Sequence, residues 1–253
     1  MILFNKPGRR RGQSRNERVA RTPGLSQKYL VVSDIVSQSF LPERLTAFSV
    51  LRAYRDGFFP MACGDGRLRW FSPDPRGILP LDRFHVPHGF RRALHCLDFS
   101  VTINTVFDQV VAGCADRPET WIDPAIARVY SELHAQGAAH SVEVWSDGRL
   151  VGGLYGVQLG GAFFGESMFS RVSESSKLAL FALVEILRDR GFGLLDIQWV
   201  TEHLGNFGAV EVRRLAYLKL LHAAMASNAC VFHAAGPWSP ANRRAVRGRE
   251  AVH

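Results

Sequence analysis

Residues 140–170 constrain the fold more than any other part of the chain, because two tight-turn signals divide them into three strand-like segments. They read HSVEVWSDGRLVGGLYGVQLGGAFFGESMFS. The dipeptides Asp147-Gly148 and Gly160-Gly161 favour the mirror-image two-residue turns that connect antiparallel strands. We therefore predict a meander of three antiparallel strands in this region.

Segments with a helical spacing of apolar residues lie on both sides of the meander. The first is expected to end near Gly57 and to bury one face, formed by Leu45, Phe48, Leu51 and Tyr54. Three more helices are expected, over about residues 126–133, 173–190 and 212–226. A meander combined with helices and further strands is typical of an α+β domain, in which helices cover a mostly antiparallel sheet.

The stretch LLDIQWV, residues 194–200, carries two polar residues inside an otherwise apolar strand. Side chains alternate along a strand, so Asp196 and Gln198 point to the same face. Glu166 ends another predicted strand. If the two strands are neighbours, the three polar groups converge among apolar side chains, which is the usual composition of a ligand site. The alternative is that they hydrogen-bond nearby loop backbone, as buried polar groups must.

The charge of the chain is concentrated at its ends. The 253 residues carry a formal net charge of +8, and residues 1–28 hold eight Lys or Arg residues against one Glu. This composition predicts a disordered basic arm and favours an anionic partner such as nucleic acid. A solvated tail and a targeting peptide are the alternatives. The four cysteines have no metal-ligand spacing, and no apolar run is long enough to span a bilayer.

Aromatic and basic side chains offer candidate contacts to a nucleic acid. Tyr54 and Trp121 lie near basic or turn residues, and aromatic faces in such surroundings can stack on bases. Arg91 and Arg92 can bind phosphate. Core packing for the aromatic residues and a solvated surface for the arginines are the alternative interpretations.

A series of short blocks closely resembles the bacterial leucyl/phenylalanyl-tRNA–protein transferases. In order, the blocks are WFSPDPRG, TWID, HSVEVW, LVGGLYG, FFGESMFSR, SK, DIQ and LG. The resemblance extends over about residues 41–224. Each block alone is modest support, but GESMFS with SVEVW and LVGG upstream and D-x-Q downstream is a specific combination.

The resemblance implies an enzyme that moves Leu or Phe, and less well Met, from aminoacyl-tRNA to the N-terminus of a protein that begins with Arg or Lys. That addition marks the protein for degradation. The implied partners are Leu-tRNA, Phe-tRNA and such proteins, without a membrane, and the implied enzyme is a cytoplasmic monomer that uses no metal and no other cofactor.

The same resemblance implies two domains. A GNAT-like acyltransferase domain is expected over residues 76–238, and a small N-terminal domain is expected before it, over residues 30–75. Composition, not the resemblance, predicts a basic disordered arm over residues 1–29 and a basic tail over residues 239–253 that flank the two domains.

By motif match, Asp196 and Gln198 lie at the reaction centre, and Glu166 lies near the α-amino group of the donor amino acid. In one mechanism the carboxylate draws the proton of the attacking amine through the glutamine. In another, the terminal ribose of the tRNA has the larger part and the pair positions the reacting groups. In both, orientation and charge stabilisation supply much of the rate.

The motif match also assigns the contacts of the donor. Its side chain would enter an apolar pocket formed by Leu154, Phe163 and Leu183, with Ser170 nearby. Tyr54 and Trp121 match aromatic positions that stack on or lie near the terminal adenosine. Arg92, next to Arg91, matches a basic position that meets the acceptor stem.

Two departures from the family pattern affect specificity. Met61 stands where the family has a Trp that stacks on adenine, and Leu183 replaces an aromatic wall of the pocket. The alternatives are therefore the same donor chemistry with a different acceptor residue, or a non-catalytic tRNA-binding relative. An acyl-coenzyme A enzyme is a third, but its pyrophosphate loop is missing before the predicted helix at 173–190.

Overall fold

The computed structural model describes residues 45–63, 65–94, 98–227, 229, 232 and 236–238. The predicted basic arm, 1–29, and the predicted basic tail, 239–253, lie outside the described residues. The helices are α1 (Ala47–Arg55), α2 (His88–Ala93), α3 (Phe107–Ala115), α4 (Pro124–Ala135), α5 (Ser175–Asp189), α6 (Glu202–Gly205) and α7 (Arg214–Met225). A 3-10 turn covers Leu81–Arg83.

In the part of the chain that the structure describes, ten strands form two sheets. The strands are β1 (Phe59–Ala62), β2 (Leu68–Phe71), β3 (Arg76–Ile78), β4 (Ser100–Ile103), β5 (Ala139–Ser146), β6 (Arg149–Leu159), β7 (Ala162–Ser170), β8 (Leu194–Gln198), β9 (Val210–Val212) and β10 (Gly236–Trp238). β1 and β2 pair only with each other. The other eight form one sheet in the order β10-β4-β5-β6-β7-β8-β3-β9, in which only the β7–β8 pair is parallel. The predicted α+β fold with a mostly antiparallel sheet is confirmed.

The predicted meander is the centre of this sheet, formed by β5, β6 and β7. Asp147 and Gly148 both have positive φ, 50° and 70°, as the mirror-image type I turn requires. At the second turn only Gly160 has positive φ, 58°, which fits a glycine at the first central position of the other mirror-image turn. Both turn predictions from dipeptides are therefore confirmed.

Helices cover both faces of the sheet. On one face α5 buries Leu180, Leu183 and Leu187 against the strands. On the other face α1, α3, α4 and α7 contribute to a second buried cluster, which includes Val110 and Ile126. No helix in the described part of the chain is long and apolar enough to cross a bilayer.

The buried face of α1 differs from the predicted one. The helix begins after Thr46, whose side chain and that of Ser49 form a reciprocal capping box. With this start, the buried stripe contains Val50 and Tyr54, which are fully buried, whereas Phe48 is 76% exposed. Phe48 lies two positions before Val50, about 200° around the helix, so it faces solvent. The prediction that Phe48 packs in the core is wrong.

Two irregularities in the central strands position the candidate site. Tyr155 of β6 pairs with Ser167 and Gly156 pairs with Gly165, so Glu166 is the extra residue of a β-bulge in β7. The parallel pairing of β7 with β8 ends at Phe164 opposite Asp196, although β7 continues to Ser170. The two strands therefore separate just beyond this point.

Candidate active site

Glu166 is the centre of a buried polar cluster at the place where β7 and β8 separate. Tyr54 donates to Glu166 Oε1 at 2.5 Å, and Tyr130 donates to Oε2 at 3.0 Å. The two tyrosine hydroxyl oxygens are 2.7 Å apart. Gln198 Nε2 lies 3.4 Å from Glu166 Oε1. All four side chains are fully buried. Because β7 and β8 are neighbouring strands, Glu166 and Gln198 converge as the sequence predicted.

Burial determines the acid–base character of this cluster. Burial raises the pKa of Glu166, although the hydrogen bonds from Tyr54 and Tyr130 oppose the rise. Burial and the nearby Glu166 carboxylate raise the pKa of both tyrosines well above the ordinary value, so both remain proton donors at neutral pH. A carboxylate held by neutral hydroxyls in an apolar surrounding can bind a cationic group such as an ammonium ion, or take up a proton.

Asp196 has a different environment, because a buried arginine neutralises it. Arg76 Nε lies 3.0 and 3.2 Å from the two carboxylate oxygens, and Arg76 Nη2 lies 2.8 Å from Oδ2. Tyr217 donates to Oδ2 at 2.6 Å. Both charged side chains are fully buried. Burial alone would lower the pKa of Arg76, but the attraction of Asp196 and Tyr217 raises it above its usual range, so the ion pair is retained.

Arg76 also connects this ion pair to the segment that follows α1. Its Nη1 donates to the carbonyl oxygen of Gly57 at 3.0 Å. The guanidinium carbon lies 4.8 Å from the ring centre of Phe59 and 4.7 Å from that of Tyr217. These contacts surround the guanidinium with hydrogen-bond acceptors and aromatic faces, which is the environment that a buried arginine needs.

Gln198 adopts an unusual backbone conformation at the end of β8. Its φ is 60°, and the N–H of Trp199 donates to the carbonyl oxygen of Ile197 at 2.7 Å, which closes a three-residue turn. Asp196 Oδ1 accepts the backbone N–H of Gln198 at 2.9 Å. Gly77 allows this turn, because a Cβ there would lie 2.7 Å from the carbonyl carbon of Trp199. Strained backbone held by its surroundings is common at functional sites.

The predicted pair of Asp196 and Gln198 is therefore close, but the two side chains do not bond to each other. Asp196 contacts the backbone of Gln198, while the Gln198 amide group extends toward Glu166. The Oε1 of Gln198 is buried and lacks a hydrogen-bond partner in the described part of the structure. An unpaired buried acceptor next to a carboxylate can receive the N–H of a bound amine.

The structure brings together three of the residues predicted to form the donor pocket. Leu154, Phe163 and Leu183 are buried in the cluster beneath α5. Ser170 is placed elsewhere, at the end of β7, where its Oγ lies 3.0 Å from Ser175 Oγ and donates to the carbonyl oxygen of Val172 at 2.7 Å. The role of these residues as a pocket stays a prediction.

The residues predicted to contact tRNA fall into two separate groups. Tyr54 and Trp121 lie in the buried apolar cluster on the face of the sheet that α1, α3, α4 and α7 cover, and Trp121 is 4% exposed. Arg91 and Arg92 lie in α2, on the α5 side of the sheet. Arg91 lines a cavity of about 900 Å³ between the Leu81–Arg83 turn, α5 and β8. The contribution of all four residues to tRNA binding stays a prediction.

Sequence reasoning missed three residues of the site. Tyr130 extends the apolar stripe of α4, and Tyr217 lies on the buried side of α7, so both look like ordinary core residues in the sequence. Arg76 lies two residues before the apolar segment ILPL. A charged residue at the start of an apolar strand could have indicated a buried ion pair. Among the described residues, no three His, Cys, Asp or Glu side chains are grouped so as to hold a metal ion.

Comparison with known proteins assigns the chain to a family. Residues 78–222 match the sequence model of the leucyl/phenylalanyl-tRNA protein transferases, and residues 43–74 match that of the N-terminal domain of the same proteins. The leucyl/phenylalanyl-tRNA–protein transferase of Salinibacter ruber is 56% identical over 178 residues, which are 70% of this chain and 79% of that protein. The protein of the same name from Paramagnetospirillum magneticum is 54% identical over 191 residues, 73% of this chain and 91% of that protein.

Solved structures add only a distant likeness. The match to the structure of L-PGS from Bacillus licheniformis covers 61% of this chain and 53% of that protein's chain, at 14% identity and a TM-score of 0.36. A likeness at this level carries no argument. The family assignment depends instead on the sequence matches, and the two family models together include Tyr54, Tyr130, Glu166 and Gln198. The chain belongs to the leucyl/phenylalanyl-tRNA protein transferase family.

Proposed function

We propose that this chain transfers Leu or Phe, and less well Met, from aminoacyl-tRNA to the N-terminal amine of proteins that begin with Arg or Lys, and so marks them for degradation. Family membership supports the transfer of an amino acid from tRNA to a protein. The observation that carries the proposal is the buried cluster of Glu166, Tyr54, Tyr130 and Gln198 where β7 separates from β8.

The fold of the catalytic part supports a GNAT-like assignment, which is part of this proposal. A parallel pair of strands that separates within an otherwise antiparallel sheet provides an opening for an acyl donor beside the central helix, α5. We assign this domain to residues 76–238 and a small N-terminal domain to residues 30–75, in a cytoplasmic monomer.

In the proposed reaction the ester bond of aminoacyl-tRNA is already activated, and the attacking group is an α-amine. The reference pKa of an α-amine is about 7.7–8.0, so much of it is protonated at neutral pH and must lose a proton before it attacks. Glu166 faces the α-ammonium group of the donor amino acid, because a carboxylate with neutral hydroxyl donors attracts a cation. Gln198 Oε1 accepts an N–H of the attacking amine and orients it toward the ester.

The contacts of Asp196 favour a positioning role over direct proton removal. Its two oxygens already accept hydrogen bonds from Arg76, Tyr217 and the backbone of Gln198. Asp196 therefore fixes the strained turn that presents the Gln198 amide. The mechanism in which the tRNA ribose has the larger part in proton transfer agrees with this arrangement.

The donor side chain enters the apolar cluster between the sheet and α5. Leu154, Phe163 and Leu183 form its walls, whereas Ser170 lies apart from them at the end of β7. Unbranched or γ-branched apolar side chains fit such a slot, whereas a β-branched side chain crowds its entrance.

The test offers a set of aminoacyl-tRNAs and of peptides that differ only in their first residue, and identifies the products by mass spectrometry. We expect peptides that begin with Arg or Lys to gain one Leu or Phe. Transfer to peptides with other first residues would support the same donor chemistry with a different acceptor. Tight binding of tRNA without any product would identify a non-catalytic relative and contradict the proposal.

A further inference from the structure

Arg117, in the loop between α3 and α4, brings a guanidinium group to the strand that carries Glu166. Its Nη2 donates to Ser167 Oγ at 2.6 Å, and Ser167 follows Glu166 in the bulge of β7. The Nε of Arg117 is buried, and no described residue accepts its hydrogen. A buried donor on a charged group is costly without an acceptor, so a bound ligand is the natural source of one.

Two more buried donors near Arg117 lack partners in the described structure. Tyr155 pairs with Ser167 across the strands, and its ring lies 5.4 Å from that of Tyr130, but its hydroxyl group has no hydrogen-bond partner. The Nε1 of Trp121, four residues after Arg117 in the same loop, is also unpaired. Three buried donor groups, on Arg117, Tyr155 and Trp121, therefore lack partners among the described residues, which suits a ligand rich in acceptor oxygens.

We propose that Arg117 binds the phosphodiester group that precedes the terminal adenosine of the donor tRNA, an inference that rests on the proposed function. A guanidinium presents N–H groups in the geometry that phosphate oxygens accept. A phosphate is attracted to this guanidinium, whereas the N-terminal ammonium and the Arg or Lys side chain of the acceptor protein are repelled by it.

The placement of Arg117 fits this particular phosphate. Trp121 is the predicted stacking partner of the terminal adenosine, and both residues belong to the loop between α3 and α4. A phosphate contact in that loop therefore falls within one nucleotide of the stacked base. Ser167 holds the guanidinium in place through Nη2, from the strand position that follows Glu166.

The test compares two minimal donors that differ in one group. One is 3′-O-phenylalanyl-adenosine, and the other is the same molecule with a 5′-methyl phosphodiester. We expect Arg117→Gln to lower kcat/KM about tenfold or more with the phosphodiester donor, the usual effect of losing a hydrogen bond to a charged group. The phosphate-free donor should react equally well with the parent and the variant.

Three further variants separate a phosphate contact from a structural effect. Arg117→Lys should retain part of the advantage of the phosphodiester donor, because the charge remains. Ser167→Ala should give a smaller loss that is again confined to that donor, because it releases the guanidinium. Arg128→Gln, which changes a 70% exposed arginine of α4, is the matched control and should behave as the parent.

Binding measurements keep this inference separate from the proposed function. Amide analogues of the two donors, in which the 3′ ester is replaced, bind without being transferred. The parent should bind the phosphodiester analogue more tightly than the phosphate-free one, and Arg117→Gln should remove that difference, whether or not Phe-tRNA is a substrate. Equal losses with both donors, a change in the KM of the acceptor peptide alone, or equal affinity of the parent for both analogues would overturn the inference.

Discussion

Glu166 and Asp196 are both fully buried carboxylates, but their partners give them different chemistry. Asp196 is neutralised by Arg76 and is saturated with hydrogen bonds. Glu166 instead accepts hydrogen bonds from the hydroxyl groups of Tyr54 and Tyr130 and lies beside the Gln198 amide. In the proposed function, Glu166 contacts the ammonium group of the substrate, and Asp196 holds the backbone of Gln198 and the Arg76 side chain in place.

The raised pKa of Glu166 predicts how stability depends on pH. In the range just above its ordinary pKa of 4.5, the folded protein retains a proton that the unfolded chain releases. Glu166 therefore lowers the free energy of unfolding of the parent as pH rises through this range. Glu166→Gln does not titrate, so its stability relative to the parent should increase with pH. Denaturant unfolding at a series of pH values tests this, and a constant difference would contradict it.

The predicted stacking role of Trp121 leads to a second prediction. Trp121→Ala should lose roughly 1–3 kcal/mol of donor binding, the usual range for a base stacked on an aromatic ring. Met61→Trp should tighten binding if Met61 lies on the other side of the adenine. Equilibrium binding of a non-hydrolysable aminoacyl-tRNA analogue measures both. If the Trp121→Ala protein is folded and binds the donor with the parental affinity, Trp121 does not stack on the adenosine.

At the scale of elements, the sequence predicted the turns and helices, because these depend on residues close together in the chain. Turn dipeptides located the meander, and apolar spacing located α4, α5 and α7 to within a few residues. The buried face of α1 was missed, because it depends on where the Thr46 capping box starts the helix. The bulge at Glu166 and the three-residue turn at Gln198 were also missed, because pairing between distant strands creates both.

The ion pair between β3 and β8 should dominate the stability of this edge of the sheet. Arg76→Met leaves the Asp196 carboxylate buried without its cation, and we expect it to cost about 3–5 kcal/mol of unfolding free energy. Combining it with Asp196→Asn should recover part of the loss, because the uncompensated charge is removed. Denaturant melts of the two single variants and the double variant measure the coupling.

Arg128 and Glu132 supply the control for this comparison. Their side chains are 70% and 49% exposed and lie 3.7 Å apart on α4. Breaking such a pair should change the unfolding free energy by no more than about 1 kcal/mol. A loss of the same small size for Arg76→Met would show that the buried pair does not fix β3 to β8.

At the scale of the whole molecule, the family and the class of fold could be predicted from sequence, but the partners of the buried charges could not. The blocks that identify the family include Glu166, Asp196 and Gln198, and in the structure Gln198 contacts both carboxylate side chains. Arg76 lies in one of these blocks, but the sequence around it does not indicate that its partner is Asp196, 120 residues later in the chain. Contacts between residues so far apart depend on the order of strands in the sheet.

The basic arm gives a prediction at this scale. Residues 1–28 hold eight basic residues against one acid, a composition that suits non-specific contact with phosphates. Deleting residues 1–28 should weaken tRNA binding modestly and reduce its dependence on salt concentration, while the preference among donors remains. Binding measured over a salt series tests this, and an affinity that is unchanged at every salt concentration would assign no tRNA contact to the arm.

The most direct test of the central claim is the rate of a single transfer event at the Glu166 cluster. Rapid-quench transfer from Phe-tRNA to a peptide that begins with Arg would be measured for the parent, Glu166→Gln and Gln198→Ala. Glu143→Gln is the matched control, because Glu143 is also fully buried in the sheet but bonds only to Ser141 and Thr102 among the described residues. Thermal melts would confirm that each variant is folded.

We expect the single-turnover rate to fall about 100-fold or more in Glu166→Gln and Gln198→Ala, within the usual range for groups that orient or stabilise a transition state. The Glu143→Gln control should transfer at the parental rate. If folded Glu166→Gln and Gln198→Ala proteins also transfer at the parental rate, the cluster is structural and the reaction centre lies elsewhere.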